Sequence, residues 1–113
     1  MATITADKKP REGGIQKIIW ETMGNADTGT SVKCADYPDK TVDVIGTFGG
    51  ATVTLQGSMD DSTWSTMVDS TGTNLAFTAA STLKLIRDNP LFIRAITSGG
   101  TGTDIDVIIA AAK

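Results

Sequence analysis

Histidine is missing from this 113-residue chain, and cysteine occurs once, at Cys34. Without histidine there is no Ser-His or Cys-His nucleophilic arrangement, and the commonest transition-metal ligand is gone. One cysteine allows no intrachain disulfide and no zinc site built on thiolates. In the run Ser31-Val32-Lys33-Cys34-Ala35, Cys34 shares a face with Val32 and reads as a small buried hydrophobe rather than a reactive thiol. Aromatic residues are scarce as well, at 5%. Long apolar runs are absent: no stretch approaches the length that crosses a bilayer, and the N-terminus lacks the apolar core of a secretory signal. The expectation is a chain made in the cytosol, with no membrane partner.

Positive charge is also thinly spread. The net charge is −3, and the ten Lys and Arg residues are scattered except for Lys8, Lys9 and Arg11. No basic face for a phosphate backbone emerges, so no nucleic-acid partner is expected. The Lys8-Lys9-Pro10-Arg11 cluster reads first as a solvated arm, and second as a contact to an acidic partner surface.

What the chain does contain points to pleated sheet. Apolar residues make up 40% of it, led by Ile, Val, Leu and Ala, and Thr and Gly are abundant. That size suits one domain with one modest core. Strand-like runs recur at Ile15 to Met23, Ser31 to Ala35, Thr41 to Phe48, Ala51 to Gly57, Trp64 to Val68, Leu75 to Thr78, Thr82 to Arg87, Phe92 to Thr97 and Asp104 to Ala110. Turn residues separate them, as at Gly24-Asn25-Ala26-Asp27, Gly49-Gly50, Asp88-Asn89-Pro90 and Ser98-Gly99-Gly100. Between Leu75 and Leu85 there is room for a short helical turn and no more. The expected fold is an all-β antiparallel sandwich, jelly-roll-like, over residues 15–113, preceded by a flexible arm over residues 1–14 that ends in Gly13-Gly14.

Two-residue alternation assigns Val42, Val44, Val53, Leu55, Leu83 and Leu85 to the core. Phe92-Ile93-Arg94-Ala95-Ile96 offers two faces, Phe92, Arg94 and Ile96 against Ile93 and Ala95. An arginine between apolar neighbours marks Phe92 and Ile96 as candidates for a rim or a subunit contact. Trp64 falls in phase with Thr66 and Val68, which favours a buried plug over an exposed sugar-stacking platform.

Acid/base chemistry would need paired carboxylates. The candidates are Asp60 with Asp61, Asp36 with Asp39, and Asp104 with Asp106, all beside solvated turns. The Met59-Asp60-Asp61-Ser62 turn has oxygen ligands, yet the D-x-[DN]-x-[DN]-G calcium pattern is missing, so a simple turn is the preferred reading. Gly99-Gly100-Thr101-Gly102 matches neither common phosphate-cradling pattern. The sequence therefore suggests no enzyme, no cofactor and no metal.

The run Gln56-Gly57-Ser58-Met59-Asp60-Asp61-Ser62-Thr63-Trp64 resembles the Q-G-S-x-D-x-x-x-W hairpin of discoidin-like and phage-type sandwich modules. With Pro90-Leu91-Phe92-Ile93-Arg94-Ala95 and Gly99-Gly100-Thr101-Gly102-Thr103-Asp104-Ile105-Asp106-Val107, the stretch from Ala51 to Lys113 is similar to small β-sandwich structural proteins of tailed bacteriophage particles. That resemblance implies a capsid cement or decoration protein on the virion surface, with the major capsid protein as partner and a homodimer or homotrimer as the working form. Lys8, Lys9, Arg11, Phe92 and Arg94 would then meet partner surfaces. The discoidin side of the resemblance implies instead a carbohydrate-binding or host-adhesion module using Trp64, Asp60 and Asp61, although its disulfide pair is absent here.

Overall fold

The computed structural model describes residues 3–8, 15–33, 35–79 and 83–112. Twelve strands and no helix occur among them: β1 Thr3–Ile4, β2 Ala6–Lys8, β3 Ile15–Met23, β4 Thr28–Gly29, β5 Val32–Lys33, β6 Asp39–Thr47, β7 Thr52–Ser58, β8 Ser65–Thr66, β9 Ala76–Phe77, β10 Lys84–Ile86, β11 Phe92–Ser98 and β12 Asp104–Ala112. One sheet runs β10-β6-β12-β3-β2. The other runs β1-β4-β11-β7-β8, with β5 added to β11 and β9 to β7. All pairings are antiparallel except β1 with β4. The expected all-β sandwich is the fold observed, and the chain passes repeatedly from one sheet to the other.

The alternation in the long strands sets the core. From one sheet come Ile18, Trp20, Val42, Val44, Ile105, Val107 and Ile109; from the other come Val53, Leu55, Ile93 and Ala95, all buried in one cluster. Burying one face of each sheet supplies the driving force, because each side chain of this size contributes about 1.5–3 kcal/mol when withdrawn from water. Lys40 is a polar exception, fully buried at the end of the sandwich. Its ammonium donates to Tyr37 O and to Asn89 Oδ1, and Asn89 Nδ2 donates to Ala35 O.

A bulge interrupts β3 where it meets β12. Met23 pairs with Ile105 and Trp20 with Val107, so Glu21 and Thr22 together oppose Asp106. Thr22 takes φ 57°, rare for a β-branched residue, and its freed amide donates to Asp106 Oδ1 at 2.9 Å.

Three expectations need correction. Leu83 and Leu85 are not core: they are 70% and 45% exposed, and Ile86 is the buried residue of β10. The pairing of Leu85 with Thr41 and Ile86 with Lys40 fixes this register, and a one-residue change of phase exchanges the two faces of a strand. Trp64 is not a buried plug but half-buried just ahead of the two-residue β8, while Met67 enters the core and Trp20 is the fully buried indole. The segment assigned to an arm contains β1 and β2, one in each sheet. Ile4 and Ala6 pack against the core, Thr30 N donates to Ile4 O, and Ala6 N donates to Thr30 Oγ1. Those hydrogen bonds and the burial of Ile4 supply an ordering energy that a polar composition conceals. Residues 9–14 and Cys34 lie outside the described residues.

Candidate functional site

Strands β7 and β11 pair along seven residues, which puts Gln56 directly opposite Arg94 and Ser58 opposite Phe92. Inward-facing Ile93, Ala95 and Thr97 are buried, so Phe92, Arg94 and Ile96 stand on the outer face, half-exposed. The flanking strands complete the surface. Lys33 of β5 pairs with Phe92, and its ammonium lies 5.4 Å from the centre of that ring. On the other side, β8 pairs Thr66 with Gln56, which brings Trp64 beside Arg94. The guanidinium carbon of Arg94 lies 4.2 Å from the centre of the Trp64 ring, and its Nε–H donates to Gln56 Oε1 at 2.8 Å. Two cations on two aromatic faces therefore share one outer sheet surface.

The turn between β7 and β8 borders this surface and is bonded within itself. Ser58 Oγ accepts the amides of Asp60 and Asp61 and donates to Asp60 Oδ1. That same carboxylate oxygen accepts the amides of Ser62 at 2.9 Å and Thr63 at 2.7 Å. Asp61 adopts φ 62° and is exposed. Between the turn and the segment leading into β11 lies an open groove of about 370 Å³, walled by Ser58, Met59, Ser65, Met67, Asp88 and Pro90. Met59, in its wall, is 66% exposed.

The Thr63 and Ser62 amides, with the Ser58 hydroxyl, hold the Asp60 carboxyl at a pKa of about 2 instead of 3.8. Asp69 is lowered too, first by the Thr71 hydroxyl and then by the Thr73 amide. A carboxyl depressed in the folded state stabilises it fully above the unfolded pKa, and that contribution fades as pH falls through the folded one. Wild-type protein is therefore expected to lose thermal stability between about pH 4 and pH 2, and Asp60→Asn, which keeps the Oδ1 acceptor, to lose less over that interval. Equal slopes of melting temperature against pH in the two proteins would contradict this.

Of the residues singled out in the sequence, Trp64, Arg94, Phe92, Asp60 and Asp61 are gathered on this one face and its rim. Lys9, Arg11 and the side chain of Lys8 lie outside the described residues. Asp106 is engaged by the β3 bulge. Among the described residues, no group of three or more carboxylates or thiols converges to hold a metal ion. Lys33 and Gln56 are members that sequence reasoning missed, because only the pairing of distant strands places them here.

No protein-family model matches the chain, and no curated protein matches it in sequence. In shape it is similar to the crystal structure of the SPBc2 prophage-derived protein YomS, at TM-score 0.68 and 9% identity, covering 93% of this chain and all of the other. Weaker likenesses are to protein NMB1881 from Neisseria meningitidis (TM-score 0.40, 9% identity, 96% of this chain and 82% of the other). Hydroxypropylphosphonic acid epoxidase from S. wedmorenis is matched at TM-score 0.41 and 10% identity, over 96% of this chain and 50% of that one. The first likeness establishes a shared sandwich fold.

Proposed function

We propose that the protein is a non-enzymatic structural component of a bacteriophage particle, a cement or decoration protein that binds the assembled head on its outer surface. The observation that carries this reading is the end-to-end match of its fold to a prophage-derived protein. The outer face of β7 and β11 is the docking surface. Its Trp64, Phe92 and Arg94 are residue types enriched in protein interfaces, and the groove beside the β7–β8 turn, with Met59 in its wall, is able to seat a partner side chain. The major capsid protein is the partner. A dimer or trimer is the working form, since closed symmetry suits a protein repeated around a particle. Lys8, Lys9 and Arg11 add cationic contacts in this scheme.

The carbohydrate-binding reading ranks second. One face of the Trp64 ring is occupied by Arg94, and Asp60 Oδ1 is committed to three donors of its own turn, which leaves less for a sugar to stack on or bond to.

Sedimentation with capsids stripped of accessory proteins, followed by heat challenge, tests the proposal. Saturable co-sedimentation with improved capsid survival is expected. Trp64→Ala or Phe92→Ala, folded by circular dichroism, is expected to weaken binding by about 2 kcal/mol, or about 30-fold. Absence of binding to capsids of the right phage would reject the cement role, and glycan binding lost in Trp64→Ala would move the weight to the second reading.

A further inference from the structure

We infer that Arg94 is a preorganised receiving site for a carboxylate carried by an acidic side chain of the partner protein. This deepens the docking reading and names the chemistry of the group that the face accepts. An arginine carries five N–H donors and no acceptor. The bond from Nε to Gln56 Oε1 engages one of them, and the guanidinium carbon rests 4.2 Å from the centre of the Trp64 ring. Together these two contacts restrain the direction of the fork. The remaining N–H groups of the fork have no hydrogen-bond partner among the described residues.

The fork has no anionic counterpart within the described residues. Lys84 pairs with Asp69 and Arg87 with Asp88, and Arg94 joins neither. Arg94 is half-buried and partly stripped of water, with its rotamers already restrained by Gln56 and Trp64. A carboxylate binding in parallel across two N–H groups is the ligand whose geometry matches such a fork. Gln56 sits directly across the strand pair, where its carbonyl oxygen can do no more than orient, which makes it a positioning residue.

The surroundings select a lone carboxylate over a polyanion. Asp60 and Asp61 lie in the β7–β8 turn that leads into Trp64, Asp88 faces that turn across the groove, and the chain as a whole carries −3. A phosphate backbone would meet all of these charges at once. An Asp or Glu flanked by apolar side chains meets Arg94, and its neighbours find Phe92 and Trp64 on the same face.

The test is titration of the full chain with N-acetylglutamate amidated at its α-carboxyl, so that one carboxylate remains, with inorganic phosphate and with a single-stranded oligodeoxynucleotide, following the Arg94 Nε–H and Trp64 indole resonances. The monocarboxylate is expected to shift both saturably. Arg94→Lys, which keeps the charge and loses the fork, is expected to abolish the response, and Gln56→Leu to weaken it about threefold or more. No saturable shift, or the same response in Arg94→Lys, overturns the assignment; tighter binding of the oligonucleotide overturns it in favour of a nucleic-acid partner. In the capsid assay Arg94→Lys is expected to lose about tenfold in affinity. Equal binding by Arg94→Lys rejects the carboxylate contact while the cement role stands. If the wild-type chain binds no capsid, the cement role falls and the monocarboxylate titration alone decides the site.

Discussion

Trp20→Ala is expected to remove about 3–5 kcal/mol of folding stability, as aromatic-to-alanine changes in closed cores do. Trp20 has no solvent exposure and pairs on one side with Val107 and on the other with Ala6, so it ties the centre of its sheet to the N-terminal strand. Its indole N–H donates to Thr30 O at 2.9 Å, and truncation leaves that carbonyl without its donor. The fit is tight from the other sheet as well. A Cβ added at Gly29 would lie 2.7 Å from the indole, so the backbone of β4 rests against the ring and holds the resulting cavity open. Domains of this kind have only about 5–15 kcal/mol in total, so the variant should sit near the edge of folding at ambient temperature. Urea unfolding followed by circular dichroism measures the change, and a loss under about 1 kcal/mol would mean that the two sheets close over the site.

The long strands were legible because both of their faces carry a signal. In β6 and β7, Val42, Val44, Val53 and Leu55 alternate against polar neighbours, and a strand with one wet face can satisfy that pattern in one register alone. The short edge strands offered too few residues to set a phase. β10 has three residues, and the wrong phase made Leu83 and Leu85 core in place of Ile86. At β8, two exposed residues, Ser65 and Thr66, gave no periodicity by which to see that Trp64 stands outside and Met67 inside. β1 and β2 were missed for a different reason: Thr3 to Lys8 reads as polar, and its order comes from hydrogen bonds to Thr30 and β3 more than from apolar content.

The site was half legible. An arginine between Phe92 and Ile96 stands out on any strand, and a tryptophan behind a Gly-Ser-x-Asp turn does so too. What joins them is pairing between residues 38 positions apart, Gln56 with Arg94, and the addition of β5 at Lys33. No local pattern encodes those contacts, because they depend on which strands become neighbours. Both of the competing functional readings had drawn residues from the same patch without any means of seeing that it was one.

Gly46→Ala is expected to cost about 3–5 kcal/mol, far beyond the usual effect of adding one methyl. Gly46 lies in β6 opposite Ile105, where β12 also meets the bulged end of β3, and its φ is +121°. A Cβ placed there would fall 2.2 Å from Asp104 O, a backbone atom that cannot turn aside as a side chain would. Asp104 and Ile105 are in turn held by ladder pairs to Thr47 and Gly46 itself, so relief requires the strand pair to part. Gly50→Ala provides the control, since Gly50 also has positive φ, at +87°, but nothing lies within 4 Å of its added Cβ. Left-handed strain alone should cost that variant about 1–2 kcal/mol. The difference between the two in urea unfolding isolates the collision, and if both lose the same amount, the β6–β12 junction yields and strain is the whole of the effect.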